Sequence, residues 1–255
     1  MNAKSIKIGV ADYGLWVWDG GCYDLESRLL ELKQLGYQGI EMLAANSASD
    51  AIRQAALFRK LGMDFSTCHA PSHQLAIEWV AALGKNYVWL TPGAADRGVD
   101  CEVYYRRSNA LVKACRRWNI TAAIHNHMGC RVQSQEELED FLRACPEAGL
   151  ILDTGHLSMA GGDAVEIVRK YHKRIAVMHV KDVFLTGRKD EFGADEYRFC
   201  ELGAGNNGFN NATVIEELLR VGWEGWVHVE HDAHLRDPLV DLAVSWNFIQ
   251  DILKR

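Results

Sequence analysis

The sequence predicts a single (β/α)8 TIM barrel that spans residues 1–255. Short apolar runs alternate with amphipathic helical segments along the whole chain, and there are eight such pairs. Eight strands that are apolar on both faces, each followed by a helix, are typical of a closed parallel barrel. A length of 255 residues also suits one such barrel. Because no linker or low-complexity tract interrupts the pattern, we expect one domain.

The eight predicted units follow one another without a break. The strands are apolar runs of strand length, and we expect them to begin at Ile6, Tyr37, Met63, Asn86, Asn119, Ala148, Arg174 and Glu224. The helices show the apolar period of an amphipathic helix, and we expect them at 24–36, 49–62, 72–84, 101–118, 134–145, 161–172, 210–221 and 236–254. In the sixth unit a glycine-rich turn precedes the helix, and Asp163 lies near the start of that helix.

The segment 183–208 is the longest one without a predicted element. It is polar, and it follows the seventh strand on the side where the active site of a barrel forms. Segments of this length are usually functional lids or disordered. Tyr197, Phe199 and Leu202 suggest that this segment packs onto the rest of the protein, so we expect a lid.

The composition is that of a globular protein, with 48% hydrophobic and 24% charged residues. A net charge of −6 makes nucleic acid and anionic membranes poor partners. The seven cysteines are an odd number without a close pair, which favours reduced thiols in a cytoplasmic protein. Since no signal-like stretch and no apolar run of membrane-spanning length is present, we expect no membrane segment and no export.

Metal-competent side chains end three of the predicted strands. Asp153 ends the sixth strand, His179 the seventh and Glu230 the eighth. The carboxyl ends of barrel strands meet on one face, where catalytic residues gather. Two carboxylates and an imidazole there would make an open site for one divalent ion, for which Mn, Co, Mg and Zn all remain candidates.

The fifth strand ends in two histidines. Alternation places His125 and His127 on the same face as Ala123. They are either metal ligands and acid/base groups or histidines paired with core carbonyls, and their position at the same end as Asp153 favours the first reading. The fourth metal ligand stays open among His125, His127 and Gln133.

Two further residues are candidates for catalysis. His156 follows Asp153 by three residues and is expected to hydrogen-bond a substrate hydroxyl or act as an acid, the alternative being a loop-capping histidine. Lys181 shares the side of its strand with His179, so it can reach a carbonyl or hydroxyl oxygen.

Three residues are candidates for substrate binding. Glu41 ends the second strand, where a carboxylate is costly to bury without a partner. His69 ends the third strand, and Trp16 follows the first strand, where its indole could form an apolar wall beside a sugar ring.

These residue types suit chemistry beside a carbonyl group. A divalent ion that binds neighbouring oxygens of a hydroxy-ketone stabilises the enediolate left when a base removes the adjacent proton. Glu230 is the first choice for that base, with His127 or Lys181 as the opposing acid. We therefore expect a small hydroxy-ketone or aldose substrate, and isomerisation, epimerisation and elimination of water all fit this chemistry; the resemblance described next implies a keto-sugar or keto-cyclitol. No basic cluster is evident, so the substrate is expected to be unphosphorylated.

With these residues in place, the chain resembles the xylose-isomerase-like sugar isomerase/epimerase superfamily, and within it the inosose dehydratases. The segments IHNHMGCRVQSQEEL, LDTGHLSMAGGD, MHVKDV and WEGWVHVEHD carry the resemblance, which covers nearly the whole chain. It implies a barrel that binds one divalent ion. Asp153, His179 and Glu230 fall on ligand positions of the superfamily, and His156 falls on a substrate-contacting position.

The chain departs from the isomerase pattern at the fifth strand. Isomerases and epimerases of the superfamily usually carry a ligand glutamate there, in the run Glu-Asn-His, whereas this chain has His125 instead. Inosose dehydratases resemble this chain in carrying histidines there, while His69 and the TPG at 91–93 resemble the isomerase branch. The resemblance thus implies an isomerase or epimerase, or alternatively a lyase that eliminates water.

Two other functions are disfavoured. Abasic-site endonucleases of the superfamily need three zinc ions, but the fourth strand has Thr91 where they have a histidine, and no Asp-x-His pair follows the seventh strand. The acidic net charge also offers no surface for a nucleic-acid backbone. A non-catalytic sugar-binding protein would not need such intact polar strand ends.

A homodimer is expected, because barrels that resemble this one often pair. The helices at 101–118 and 236–254 carry aromatic residues that look exposed, namely Tyr104, Tyr105 and Trp246.

Overall fold

A computed structural model describes residues 6–11, 24–90, 94–191, 193–232 and 234–255. Eight of its strands form one parallel sheet, which confirms the predicted barrel class. In chain order the strands are β1 Ile6–Ala11, β2 Gly39–Ala44, β3 Asp64–His69, β4 Tyr87–Leu90, β5 Thr121–His125, β6 Gly149–Asp153, β7 Ile175–Val180, β8 Asp182–Lys189, β9 Asp195–Cys200 and β10 Gly225–Glu230. The barrel order is β3-β2-β1-β10-β7-β6-β5-β4, and β8 and β9 pair separately as an antiparallel hairpin.

Side chains bridge the seam between β3 and β4. No strand pairing joins these two strands in the part of the chain that the structure describes. Instead, the Thr67 hydroxyl donates to the backbone oxygen of Tyr87 at 2.6 Å, and the hydroxyls of Ser66 and Tyr87 lie 2.8 Å apart. The barrel is therefore nearly closed.

Helices follow the barrel strands as expected. They are α1 Leu25–Leu35, α2 Ala48–Leu61, α3 His73–Ala82, α4 Cys101–Arg116, α5 Gln135–Ala144, α6 Thr154–Met159, α7 Ala164–Tyr171, α8 Asn211–Arg220 and α9 Pro238–Leu253. Each is preceded by an Asp, Ser or Asn whose side chain accepts a backbone N–H of the first turn. Asp163 is one of these caps, as its predicted position required.

Two segments differ from the sequence prediction. The short helix α6 was not expected. It begins directly at the end of β6, and the helix expected at 161–172 is the shorter α7. The segment 183–208, expected to lack regular elements, carries most of β8 and all of β9. This hairpin is antiparallel and half-exposed, so it shows none of the continuous apolar pattern that marks the barrel strands.

An apolar plug fills the barrel beneath the strand ends. Tyr87, Ala123, Ile151 and Val177 form a buried cluster there. Ala123, Ile151 and Val177 each lie two residues before a strand-end residue, namely His125, Asp153 and His179. Because side chains alternate along a strand, these apolar residues point into the barrel on the same side as the residues that follow them. The buried group of acidic and imidazole side chains described below lies above this plug, at the carboxyl end of the barrel.

The expectation of exposed aromatics on the outer helices is wrong for Tyr104. This residue is buried, and its ring packs 6.0 Å from that of Phe141 within the same chain. Tyr105 and Trp246 are half-buried. The homodimer remains a prediction. None of the helices in the described ranges has the length and apolar character needed to cross a bilayer.

Candidate metal centre

Four strand ends bring a group of metal-competent side chains together. His125, Asp153, His179 and Glu230 each offer a donor atom, and these atoms all lie within 4.8 Å of one another. The residues end β5, β6 and β10 or lie next to the end of β7, and all four are buried. The three strand-end residues singled out in the sequence thus meet in space, and His125 completes the group.

The two carboxylate oxygens of Asp153 have different partners. Oδ1 accepts the backbone N–H of His156 at 2.8 Å and so caps α6. Oδ2 faces Nζ of Lys181 at 3.1 Å and Nε2 of His125 at 3.4 Å. Although burial raises it, the pKa of Asp153 lies well below its usual range because Lys181 and the neighbouring histidines stabilise the anion. One charged oxygen is therefore directed into the centre.

His179 lies between two carboxylates. Its Nδ1 is 2.6 Å from Oε2 of Glu230, and its Nε2 is 3.0 Å from Oε2 of Glu41. Burial lowers the pKa of His179, but the carboxylates of Glu41 and Glu230 outweigh it and raise the pKa well above the ordinary value. The two carboxylates thus stabilise a positive charge at this imidazole, and either a proton or a bound metal ion provides that charge.

Glu41 is positioned to orient His179. It is 1% exposed, and its Oε1 accepts hydrogen bonds from the Tyr87 hydroxyl and from Nε1 of Trp89, both at 3.0 Å. With its other oxygen against His179, this carboxylate is surrounded by protein. These contacts favour a role in holding the imidazole over the predicted role in substrate binding.

The residues present fit a divalent cation. His179 Nδ1 and Glu230 Oε2 are buried and close together, but neither has a hydrogen-bond partner of acceptable geometry among the described residues. Buried polar atoms without partners are costly, and a cation between an imidazole nitrogen and carboxylate oxygens removes that cost. Two imidazoles and two carboxylates are a donor set that suits Zn, Co or Mn.

Lys181 is a buried ammonium group beside this centre. Its side chain is inaccessible to solvent, and Nζ lies 3.1 Å from Asp153, 3.2 Å from Glu230 and 3.3 Å from Asp232. Burial lowers the pKa of Lys181, but these carboxylates raise it above the ordinary lysine value. Its stem passes against Gly155, where any Cβ would collide with it. The lysine therefore presents a proton donor to the same space that the four donor residues face.

Two histidines lie next to that ammonium group. The rings of His127 and His156 are in contact at a tilt of 43°, with centroids 3.8 Å apart, and Nε2 of His156 is 3.3 Å from Nζ of Lys181. His127 donates from Nδ1 to the backbone oxygen of Met128 at 2.7 Å. Burial lowers the pKa of His156 to about 3, so this imidazole is neutral. His125 and His127 lie with centroids 5.6 Å apart, in line with the expected shared face.

The hairpin β8–β9 covers this side of the centre. The Phe199 ring packs 4.9 Å from the ring of His156, and Nζ of Lys181 lies 4.5 Å from its centroid. At the base of the hairpin, Asp182 accepts the backbone N–H of Gly203 at 2.7 Å and Nδ2 of Asn211 at 2.6 Å. The segment expected to act as a lid is thus ordered against the site.

The sequence reading missed three residues that shape the site. Asn126 accepts the backbone N–H of Asp153 and donates to its backbone oxygen, both at 2.9 Å. Asn211 donates to the backbone oxygen of Lys181 at 3.1 Å. Asp232 pairs with Lys181. The run His-Asn-His marked Asn126 only as the residue facing away, and nothing in the sequence singled out Asn211.

The remaining candidates lie apart from the four donor residues or outside the described residues. His69 is exposed, and it lines a cavity of about 380 Å³ together with Met42 and Trp89. Trp89 joins that cavity to the centre, because its ring also packs 4.8 Å from His125. The side-chain oxygen of Gln133 accepts the backbone N–H of Gly129 at 2.7 Å, so it is already engaged. Trp16 and the TPG at 91–93 lie outside the described residues.

The fold and the buried donor group together define a class of barrel protein. A sequence profile of the xylose isomerase-like TIM barrel family matches residues 29–246. The chain belongs to that family.

Two curated relatives bear on its chemistry. The rhizopine catabolism protein MocC of Rhizobium meliloti is 30% identical over 156 residues, which are 56% of this chain and 47% of MocC. The chain thus spans about half the length of that relative. The inosose dehydratase of Mesomycoplasma hyopneumoniae strain 7448 is 25% identical over an alignment of 297 positions that covers 98% of this chain and 97% of the dehydratase.

Solved structures share the fold. The probable 3-DHS dehydratase AsbF from Bacillus anthracis superposes with a TM-score of 0.73 at 13% identity, over 96% of this chain and 98% of AsbF. The IOLI protein with a bound zinc atom superposes with a TM-score of 0.72 at 15% identity, over 97% and 98% of the two chains.

Proposed function

We propose that this protein is a divalent-metal-dependent enzyme that removes a proton next to the carbonyl group of a keto-cyclitol or keto-sugar, and that water is then eliminated. The observation that carries the proposal is the buried group of His125, Asp153, His179 and Glu230 with the ammonium of Lys181 in contact with two of its carboxylates.

The four donor residues would hold the ion, and the substrate would bind beside it. When bound, the ion polarises the carbonyl oxygen and stabilises the enediolate. Solved structures of the same fold hold zinc or magnesium, which supports a divalent ion here. The ammonium of Lys181 faces this space between the carboxylates of Asp153, Glu230 and Asp232. An unphosphorylated substrate is proposed because the sequence shows no basic cluster that would bind a phosphate.

Glu230 is the group that takes the proton from carbon. It is ionised, because Lys181 and His179 lower its pKa despite burial. A carboxylate held within 3.2 Å of an ammonium is a weak base until substrate enters, and it gains strength if Lys181 turns toward a substrate oxygen. The proton moves from the carbon beside the carbonyl to an oxygen of Glu230.

Lys181 is the group that gives a proton to the departing hydroxyl. The C–O bond at the carbon next to the enediolate breaks, the electron pair of the enediolate forms the new double bond, and the hydroxyl leaves as water with the proton of Lys181. Neutral His156, 3.3 Å from Nζ of Lys181, is placed to accept a hydrogen bond from the ammonium, and the proton that Glu230 has taken up, 3.2 Å from Nζ, is the one that restores it. Elimination needs one base and one acid, which is what Glu230 and Lys181 provide.

Isomerisation or epimerisation is the second candidate, because it shares the first step. The proton would then return to carbon in place of leaving with the hydroxyl. Inverting the configuration at a carbon atom works best with two bases on opposite sides of that carbon. The fifth strand ends in His125, at the place where an epimerase would have its second carboxylate. The inosose dehydratase relatives also support elimination.

The test is turnover of a substrate panel in deuterated water. Metal-loaded protein is incubated with inososes, ketohexoses, pentuloses and 3-keto-glycosides, and the products are followed by NMR and mass spectrometry. Loss of one water from a substrate supports elimination. Deuterium next to the carbonyl without loss of mass supports isomerisation or epimerisation.

The matched variants are Glu230→Gln and Glu224→Gln. Both residues lie on the segment that carries β10, but Glu224 is exposed at its opposite end. We expect the first variant to be inactive and the second to retain full activity. If the metal-loaded protein exchanges no carbon-bound proton in any substrate and Glu230→Gln behaves identically, the enediolate chemistry is wrong for this site.

A further inference from the structure

A second group of metal-competent residues lies where the chain leaves β10. His231 and His234 are in the loop after this strand, and Asp241 is in the first turns of α9. One donor atom from each lies within 4.8 Å of the others. The group shares no residue with the four donors of the first centre.

His231 is the reason to regard this group as a site. The residue is 2% exposed, and neither of its ring nitrogens has a hydrogen-bond partner among the described residues. A buried imidazole needs a partner for each nitrogen, and leaving both unpaired costs free energy. Its ring lies 5.0 Å from that of His234 in a T-shaped arrangement, and one of its nitrogens lies within 4.8 Å of a donor atom of His234 and of Asp241.

Asp241 has a partner on each oxygen. Its Oδ1 accepts Nε of Arg236 at 2.5 Å, and its Oδ2 is hydrogen-bonded to Nδ1 of His234 at 3.1 Å, a contact in which an ion would replace the shared proton. The charge of Arg236 is in turn neutralised by Glu201, whose carboxylate accepts Nη2 at 2.7 Å. The arginine therefore fixes the carboxylate without occupying the oxygen that faces the histidines.

We propose that His231, His234 and Asp241 bind a second divalent transition-metal ion, separate from the ion of the first centre. Two imidazoles and one carboxylate select Zn, Co, Ni or Cu over Mg or Ca, which prefer sets made only of oxygen ligands. A cavity of about 300 Å³ borders the group and is lined by Arg198, Phe199, Cys200, His231, Leu235 and Asp241, among others. Water or a small ligand from that cavity completes the coordination.

The second site is connected to the first centre through Asp232. His231 directly follows Glu230, and the next residue, Asp232, pairs with Lys181 at 3.3 Å. An ion that ties this loop to the start of α9 holds Asp232 against Lys181. Binding energy at such a site is also folding energy, so the ion stabilises this corner of the barrel.

The test counts metal ions. Protein stripped with a chelator is titrated with Zn²⁺ against a chromophoric competitor, and the bound ions are counted by elemental analysis after gel filtration. We expect two ions per chain for the unmutated protein. We expect one for Asp153→Ala, which loses the first centre, and one each for His231→Gln and His234→Gln, which lose the second.

Two controls make the count decisive. His73→Gln removes an exposed imidazole of α3 and should keep both ions. The ion that His234→Gln retains reports a folded barrel, because the first centre needs four strands in place. One ion in the unmutated protein that Asp153→Ala loses and both histidine variants keep, or two ions in both His231→Gln and His234→Gln, would overturn the second site. One ion in the unmutated protein that Asp153→Ala keeps and both histidine variants lose leaves this inference intact and contradicts only the proposed function.

Discussion

The carboxylate of Glu41 lies 3.0 Å from Nε2 of His179, on an imidazole whose other nitrogen lies 2.6 Å from Glu230. Glu41 is on β2 and His179 on β7, two strands that are not neighbours in the barrel. The contact therefore crosses the barrel interior, and the ring is oriented from both sides. A carboxylate at this distance stabilises positive charge on the imidazole and so raises its basicity.

Glu41→Gln should weaken metal binding at the first centre. The amide keeps the size of the side chain but removes the charge that stabilises the imidazole when it acts as a ligand. We expect the affinity to fall by about 10–100-fold, measured by competition with a chelator. Glu224→Gln, at an exposed position, should leave the affinity unchanged. An unaltered affinity in Glu41→Gln would show that this carboxylate does not orient the ring.

Asp153→Ala and His179→Ala should each bind one ion fewer than the unmutated chain. Each change removes one of four donor groups that lie within 4.8 Å of one another. Elemental analysis of protein purified without chelator provides the count. Activity should also disappear when the unmutated protein is stripped with EDTA and return when metal is restored. Full activity after exhaustive stripping would contradict metal dependence.

Lys181→Met should abolish turnover and keep the metal. The methionine fills the buried space of the lysine stem but supplies no proton, and loss of a general acid typically lowers a rate by about 10²–10⁴-fold. Removing a positive charge that lies 3.1 Å from Asp153 and 3.2 Å from Glu230 should leave cation binding as tight or tighter. Steady-state kinetics and metal analysis test both parts.

The control for this change is Lys170→Met. Lys170 pairs on the surface with Glu139 and Glu166 and lies on α7, away from the strand ends. We expect its turnover to equal that of the unmutated protein. A fully active Lys181→Met variant would rule out this lysine as the acid.

Asn126→Ala should destabilise the fold. Its side chain makes two hydrogen bonds of 2.9 Å with the backbone of Asp153, and all of these groups are buried. Because the alanine leaves both backbone groups unpaired, we expect the free energy of unfolding to fall by about 1–3 kcal/mol, measured by urea denaturation. Asn109→Ala loses one half-buried bond to Ala144 and should cost less. Equal losses of unfolding free energy in the two variants would mean that the two buried hydrogen bonds to Asp153 stabilise the fold no more than the single half-buried bond of Asn109.

Local pattern was enough to place the metal-competent residues on one face. Alternation along β5 put His125 on the inward face, and the position of Asp153 and Glu230 at the ends of apolar runs identified them as strand-end residues. In a parallel barrel the carboxyl ends of all strands share one rim, so residues far apart in sequence are brought together by topology alone. The family resemblance rested on these same segments.

Apolar periodicity did not predict two elements, the helix α6, which begins at a side-chain cap, and the hairpin β8–β9, whose strands are polar. The helix α6 begins because Asp153 accepts a backbone N–H with Oδ1 while its Oδ2 faces the metal centre, so one residue is both a helix cap and a candidate ligand. The hairpin β8–β9 forms through antiparallel pairing of polar strands, which leaves no apolar run to recognise. Both features depend on hydrogen bonds between particular groups of this chain, which an apolar pattern does not show.

The sequence by itself determined the barrel, the strand ends and the residue types that meet there, because apolar periodicity and strand count dictate which side chains point inward. Only the tertiary structure decided that Glu41 supports His179, that Lys181 contacts Asp153 and Glu230, and that His231 lies buried beside His234 without partners. Those roles depend on distances of about 3 Å between atoms on different strands and loops. Such distances follow from barrel closure and loop packing, which no local pattern encodes.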